Sequence, residues 1–208
     1  MKVKSGVIII LALCLLLISG VIIYLRITRG IILSKEDMEQ ILKEQKLPVI
    51  EVFPSYVVDM NNLSEVVGDA DYVFVAQVEE YVTSFYDTDI EEDVETVYKV
   101  KVLENIKGVL EDKESIQVRK AGGVSKNGKN LVIFRNDLLP KCGKKYIFSA
   151  YGQPDGSLLC TGFNTSIPIN KDNNIPEDPS YQNIVTSYKN QIITPRKRFT
   201  SIYEKVAK

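Results

Sequence analysis

The chain opens with a long hydrophobic run. Residues 5–25 are uncharged and mostly apolar, and Lys2 and Lys4 precede them. About 20 apolar residues at a rise of ~1.5 Å each cover the ~30 Å hydrocarbon core of a bilayer. The apolar region of a cleaved signal peptide is shorter, about 7–15 residues. The pattern predicts an uncleaved single-pass anchor over residues 1–33, with cleavage near residues 18–20 or a buried soluble helix as alternatives.

Residues 34–61 carry the pattern of a short helix followed by an extended linker. Ser34 is a typical helix N-cap, and Asp37 stands three positions later, as in a capping box. The apolar residues of this helix recur on one face: Met38, Ile41 and Leu42. Prolines at both ends of residues 48–54 favour an extended stretch. Residues 62–67 then predict a second short helix.

From residue 71 onward the pattern changes to segments rich in β-branched and aromatic side chains, which is typical of strands. Glycine, asparagine and proline mark the turns between them. Six segments share this pattern: residues 71–84, 95–105, 114–123, 129–136, 144–152 and 156–164. Their spacing, without long helices in between, predicts a mainly β domain, a small barrel or sandwich of five or six strands. The first two segments are long, which favours a barrel.

The second of these segments changes phase before it ends. Alternation first places three apolar side chains on one face: Tyr98, Val100 and Val102. Leu103 and Ile106 then continue the apolar set one step out of phase. An extra residue near Leu103 and Glu104 would produce this shift and increase the coiling of the strand. The pattern predicts a β-bulge there and a strand end at Gly108.

Composition narrows the possible functions. The 208 residues carry a formal net charge of −1, with no histidine and no tryptophan. A Ser-His-Asp or Cys-His mechanism therefore cannot operate within this chain. No pair of carboxylates or activated nucleophile stands out, so we predict a non-enzymatic protein without catalytic residues, cofactor or resident metal. The balanced charge also gives no argument for binding nucleic acid.

The cysteines suggest where the domain resides. Cys142 and Cys160 are the only cysteines outside the hydrophobic run, and both lie in strand-like segments joined by a predicted hairpin. Adjacent strands come within disulfide reach, and disulfides persist outside the cytoplasm. We therefore predict a disulfide and an extracytoplasmic domain on the cell membrane, with two buried thiols as the alternative. Basic residues on the two sides of the anchor are nearly balanced and do not decide its orientation.

Residues 79–95 form an acidic segment with eight carboxylates and no basic residue. A calcium loop would need glycine at its sixth position, where Glu92 stands. A solvated hairpin loop is therefore the favoured interpretation, and a divalent-cation site and recognition of a basic partner are the two alternatives. In the second case Phe85 and Tyr86 would supply an apolar anchor. The residues then expected to contact the partner are Phe85, Tyr86, Asp87 and Asp89.

The end of the chain, residues 170–208, reads as a linker and a basic amphipathic helix. Thr194 and Pro195 form a helix start. Apolar residues follow at helical spacing: Phe199, Ile202, Tyr203 and Val206. Basic residues precede them: Arg196, Lys197 and Arg198. The helix is predicted either to dock on its own domain or to bind an anionic membrane surface or a partner's groove.

Four segments resemble one family of β-barrels. Residues 69–78 (DADYVFVAQV) resemble the opening pattern A-D-x-V-x-x-G-x-V of netrin-type OB barrels like the tissue inhibitors of metalloproteinases, found in surface proteins of Gram-positive bacteria. Ala76 stands where that pattern has glycine. Three further segments are similar to later strands of the family: residues 98–108, 116–123 and 143–151. The resemblance covers about residues 62–169 and implies a five- to six-stranded OB-type barrel with flanking short helices.

The resemblance implies a fold without an active site. The animal inhibitors bind a protease zinc through an amino-terminal cysteine, and no cysteine begins this domain. We predict a membrane-anchored, extracytoplasmic OB-fold module that binds a protein partner. The alternative is a cell-envelope binder of glycan or divalent cation through residues 79–95. The predicted parts are an anchor (1–33), a helix and linker (34–61), the barrel (62–169) and a linker with the basic helix (170–208).

Overall fold

The structure is a computed structural model of the chain and describes residues 33–86, 93–171 and 174–205. These residues form a mainly β fold with short helices, as the sequence predicts. The helices are α1 (Lys35–Glu44), α2 (Leu63–Asp69) and α3 (Pro179–Lys189), with a 3-10 turn at Ile175–Glu177. The strands are β1 (Val49–Val52), β2 (Tyr72–Tyr86), β3 (Val94–Lys107), β4 (Ile116–Ala121), β5 (Gly123–Val124), β6 (Leu131–Phe134), β7 (Lys145–Gly152), β8 (Leu158–Cys160) and β9 (Ser166–Pro168).

Two sheets organise these strands. The larger sheet has the order β2-β3-β4-β8-β7-β9, and β2 pairs with β7 as well. Five successive pairings therefore lead from β2 through the sheet and back to β2: β2–β3, β3–β4, β4–β8, β8–β7 and β7–β2. Of these five, β4–β8 is parallel and the other four are antiparallel. The smaller sheet has the order β1-β6-β5, so residues 131–134 lie outside the larger sheet.

The apolar side chains pack in three clusters. The largest cluster joins β2, β3, β4, β7 and β8, and several of its large members are fully buried, among them Phe74, Tyr98, Phe148 and Leu158. α1 buries Met38 and Leu42 in a second cluster together with Leu131. α2 and α3 contribute Val67 and Ile184 to the third cluster, which also contains residues of β2 and β7. The helices thus cover the larger sheet at separate places.

The predicted bulge in β3 is confirmed at Leu103. Val75 on β2 pairs with Glu104 and Ala76 pairs with Val102, which leaves Leu103 without a partner on β2. Its side chain is 41% exposed. β3 ends at Lys107, and Gly108 has φ +75°, a conformation that favours glycine. The phase change in the sequence therefore marks an extra residue in the strand.

Both short helices predicted near the start of the domain are also confirmed. Ser34 and Asp37 form a reciprocal capping box on α1. The stretch between the two prolines forms β1. Among the described residues, no helix is long and apolar enough to cross a membrane. The predicted anchor, residues 1–33, lies outside the described residues except for Leu33.

The predicted disulfide is wrong. Cys142 is exposed, Cys160 is buried in the largest apolar cluster, and both are unpaired thiols. The hairpin does exist, but its register pairs Leu159 with Tyr151, at the far end of β7 from Cys142. Most of β7, roughly 20 Å of extended strand, therefore lies between Cys142 and the Tyr151–Leu159 pair, which is beyond the reach of a disulfide.

The predicted C-terminal helix is wrong as well. Residues 191–200 have no regular secondary structure, and the helix of this region is α3. Asp178 caps α3 by accepting from the backbone N–H groups of Ser180 and Tyr181, and a proline holds the first helical position. These signals were present in the sequence. The segment after α3, residues 191–205, is called the C-terminal segment below.

Candidate functional site

A cleft of about 310 Å³ lies at the end of the long β2–β3 hairpin. Three parts of the fold build it: the hairpin end, the middle of β4 and the turn between β7 and β8. Its lining residues are Phe85, Tyr86, Asp93, Glu95, Arg119 and Asp155. The first four belong to the acidic segment, residues 79–95, for which recognition of a basic partner was one of the alternative interpretations. We call this site the acidic cleft.

Among the described residues of the lining, Arg119 is the only basic one, and its partners belong to the cleft and its rim. Its Nε and Nη2 atoms both lie 2.5 Å from Oε2 of Glu95. Nη1 donates to Oγ of Ser157 at 3.2 Å and lies 3.8 Å from a carboxylate oxygen of Asp155. The guanidinium carbon is 5.5 Å from the centre of the Phe85 ring. Arg119 therefore neutralises the charge of Glu95 and packs against the ring of Phe85.

Two negative charges remain after this pairing, because the described lining residues supply three carboxylates and one guanidinium. The Asp155 side chain is 64% exposed. Hydrogen bonds from Ser157 lower the pKa of Asp155, so this carboxylate is ionised at neutral pH. Such a cleft attracts cationic groups and repels phosphates.

The aromatic side chains give the cleft an apolar wall. Phe85 is 51% exposed, although it is a large hydrophobic residue on a hairpin. Tyr86 is held in place by β5, since its hydroxyl donates to the carbonyl of Val124 at 3.1 Å. Burial raises the pKa of Tyr86, which keeps its hydroxyl protonated as a donor. An aromatic face beside ionised carboxylates suits the side chain of lysine or arginine.

The structure brings together only part of the predicted contact set. Phe85 and Tyr86 lie in the cleft, whereas Asp87 and Asp89 lie outside the described residues. Sequence reasoning missed Arg119 and Asp155. The turn at Asp155 was visible as Pro-Asp-Gly, but its position beside the β2–β3 hairpin follows from the parallel pairing of β4 with β8, which no local pattern shows.

The basic residues of the C-terminal segment do not form an open binding patch. Arg196 lies 2.9 Å from one oxygen of Asp71, and Arg198 lies 2.8 Å from the other. Arg196 also pairs with Asp69 at 3.1 Å. Lys197 between them is exposed and lies 4.8 Å from the ring centre of Phe199. Two of the three predicted contact residues are therefore engaged within the domain.

Comparison with known protein families finds no family model that matches this chain, and comparison with curated proteins finds no significant match. Within residues 33–86, 93–171 and 174–205, no group of three or more acidic or cysteine side chains is placed to hold a metal ion. The function of the acidic cleft is therefore inferred from its own geometry and charge.

Proposed function

We propose that this chain is a membrane-anchored, extracytoplasmic binding module that holds a basic segment of a protein partner in the acidic cleft. The observation that carries this proposal is an exposed phenylalanine beside carboxylates that outnumber the arginine among the described residues of the cleft. Aromatic anchors surrounded by complementary charge are typical of protein-binding sites. The module has no catalytic role in this proposal.

The order of strand pairing supports an OB-type barrel. Such a barrel has five strands in a Greek-key arrangement, and β2, β3, β4, β7 and β8 supply them in chain order. OB folds bind ligands on the face of their second and third strands and with the loops after the first and fourth strands. The acidic cleft lies at the corresponding place. This is an argument from fold analogy, and the chemistry of the ligand comes from the cleft residues.

The charge of the cleft favours a basic peptide over nucleic acid. Nucleic-acid sites of OB folds combine stacking aromatics with a basic groove. Here the aromatic residues Phe85 and Tyr86 stand beside Asp93 and Asp155, and the sole arginine is already paired. A lysine or arginine of the partner would lie over Phe85 with its charge next to Asp155.

The membrane location in this proposal rests on residues 5–25 of the sequence. Because Cys142 and Cys160 are unpaired thiols, a disulfide no longer supports an oxidising compartment for the domain. A hydrophobic run of this length still meets the requirement for a spanning helix. The orientation of the anchor is part of the proposal.

A binding titration tests this proposal on the full-length chain in detergent micelles. The probe is a fluorescent peptide of alternating glycine and arginine, and its acidic counterpart, a chitin oligosaccharide and calcium chloride are the competing ligands. We expect saturable, salt-sensitive binding of the basic peptide that Asp155→Lys weakens at least about tenfold. Glu114→Lys introduces the same charge change at an exposed residue two positions before β4 and serves as the control. Preference for the oligosaccharide or calcium would contradict the proposal.

A further inference from the structure

β1 is the outer strand of the smaller sheet, and one of its edges is unpaired within the described part of the chain. β1 runs parallel to β6. The carbonyls of Pro48 and Val52 accept from the N–H groups of Leu131 and Arg135, at 2.8 and 2.9 Å. Because backbone groups alternate in direction along a strand, the odd-numbered residues direct theirs to the open edge. These residues are Val49 and Glu51 of β1 and Phe53, which directly follows the strand.

The same three residues form an exposed stripe of side chains. Val49 is 57% exposed and Phe53 is 65% exposed, and the exposed Glu51 lies between them. The guanidinium of Arg135 lies 5.1 Å from the Phe53 ring centre and holds this ring at the end of the stripe. The two even-numbered residues of β1 are only partly exposed. Along the open edge, the exposed side chains are therefore apolar (Val49), acidic (Glu51) and apolar (Phe53) in turn.

We propose that this edge, the β1 edge, binds an extended segment of a partner protein as an additional strand. Backbone hydrogen bonds to an open edge give affinity, and alternate side chains give specificity. The residue opposite Glu51 would be lysine or arginine, with apolar residues two positions away on each side to contact Val49 and Phe53. The partner segment therefore reads apolar-x-basic-x-apolar.

The β1 edge is separate from the acidic cleft. The hydroxyl of Tyr86, a cleft residue, contacts Val124 of β5, and β5 lies at the opposite side of the three-stranded sheet from β1. The proposal therefore does not depend on the proposed function of the cleft. A loss of binding at one place can be distinguished from a loss at the other by substitutions confined to each.

The charge of Glu51 selects a different protein over a second copy of this chain. Antiparallel self-pairing that uses the whole strand would place Glu51 directly opposite its own copy, and like charges opposite each other are destabilising. Pro48 and Pro54 flank the strand and limit the ladder to about five residues. A short edge with a central carboxylate thus resists self-association and favours a partner with a basic residue.

The experiment is a TROSY NMR titration of the full-length chain in detergent micelles. The probe is the capped peptide Ser-Val-Thr-Lys-Thr-Val-Ser, and the comparison peptide has glutamate in place of lysine. We expect chemical-shift changes at the amides of Val49, Glu51 and Phe53. The lysine peptide should bind about three- to tenfold tighter than the glutamate peptide, and Glu51→Lys should reverse this preference.

Two further variants complete the test. Glu51→Pro removes an outward N–H group without removing a bond to β6, so it should abolish peptide binding while the domain stays folded. Glu114→Lys changes an exposed charge elsewhere and should leave binding unchanged. Three results would overturn the proposal: no shift at β1, an unchanged lysine preference in Glu51→Lys, or a dimer that forms through β1 without peptide.

Discussion

Arg198 and Asp71 are separated by 127 positions in the sequence, yet Nη1 of the arginine lies 2.8 Å from Oδ1 of the aspartate. Arg196 lies 2.9 Å from the other oxygen of the same carboxylate. Asp71 is also an acceptor for the N–H of Gly152 at 2.9 Å. One carboxylate at the start of β2 thus joins the end of β7 and the C-terminal segment.

Replacing Asp71 with alanine should release this segment. The substitution removes the carboxylate that both arginines share and leaves Arg196 only its contact with Asp69, so we expect the free energy of unfolding to fall by about 2–3 kcal/mol. This lies below the loss for fully buried pairs because both arginines are partly exposed. Lys197→Ala, between the two arginines, should change it by less than about 0.5 kcal/mol. Urea denaturation measures both, and equal effects would contradict the account.

The buried pair of Lys120 and Asp137 should show strong coupling. Their side chains are 0% and 3% exposed, and Nζ lies 2.5 Å from Oδ2. Nζ also donates to the carbonyl of Gly162 at 3.0 Å and to the Thr165 hydroxyl at 3.1 Å. Lys120→Met and Asp137→Leu should each cost about 3–5 kcal/mol, because each leaves an uncompensated charge or polar group in the interior.

The double variant distinguishes coupling from general damage to the interior. We expect Lys120→Met with Asp137→Leu to cost clearly less than the sum of the two single effects, since neither charge remains. Lys113→Met, at an exposed position, is the control and should change stability by less than about 0.5 kcal/mol. Strict additivity in the double-mutant cycle would show that the pair does not act as a unit.

Lys107 should make stability depend on pH above neutrality. Burial, with a contribution from Arg198, lowers the pKa of Lys107 from its usual 10.5 to about 8. Between these values the unfolded chain keeps a proton that the folded chain has lost, so the free energy of unfolding rises with pH from about 8 to 10.5. This contribution is lost as pH falls through about 8. Lys107→Met should remove the rise, and parallel pH profiles of the two proteins would contradict this.

The bulge predicts opposite sensitivities at adjacent positions of β3. Val102 is 2% exposed within the largest apolar cluster, whereas Leu103 is 41% exposed. Val102→Ala should destabilise the domain by about 2 kcal/mol and Leu103→Ala by less than about 0.5 kcal/mol. Thermal unfolding of the two variants measures this. A larger loss at Leu103 would mean that the phase of the strand differs from the structure.

Local patterns predicted the local features of the fold. The bulge at Leu103 was readable because hydrophobic phase is set within a few residues, and the capping box at Ser34 spans only four. The C-terminal helix was predicted from a start signal at Thr194 and Pro195 and from the spacing of apolar residues. Tertiary ion pairs hold that segment in place instead of a helix, since Arg196 and Arg198 both form ion pairs with Asp71. Partners more than a hundred positions away leave no local signal.

The acidic cleft illustrates the same limit. Phe85 and Tyr86 were predicted as contact residues because an exposed aromatic pair next to an acidic run is a local signal. The roles of Arg119 and Asp155 depend on the pairing of β4 with β8, and the sequence gives no direct sign of that parallel pair. The disulfide between Cys142 and Cys160 was wrongly predicted for a similar reason. The hairpin was predicted correctly, but the sequence did not give the register of its two strands, which keeps the cysteines apart.

Site-specific photo-crosslinking in cells that naturally produce the protein tests the central proposal most directly. A photoreactive phenylalanine analogue is placed at Phe85 in the acidic cleft or at Val109, which is equally exposed at 51% and lies outside the cleft. We expect one discrete cross-linked protein from position 85, attached through a segment rich in lysine and arginine, and we expect Asp155→Lys to abolish this cross-link. Equal cross-linking from both positions, or none from position 85, would contradict it.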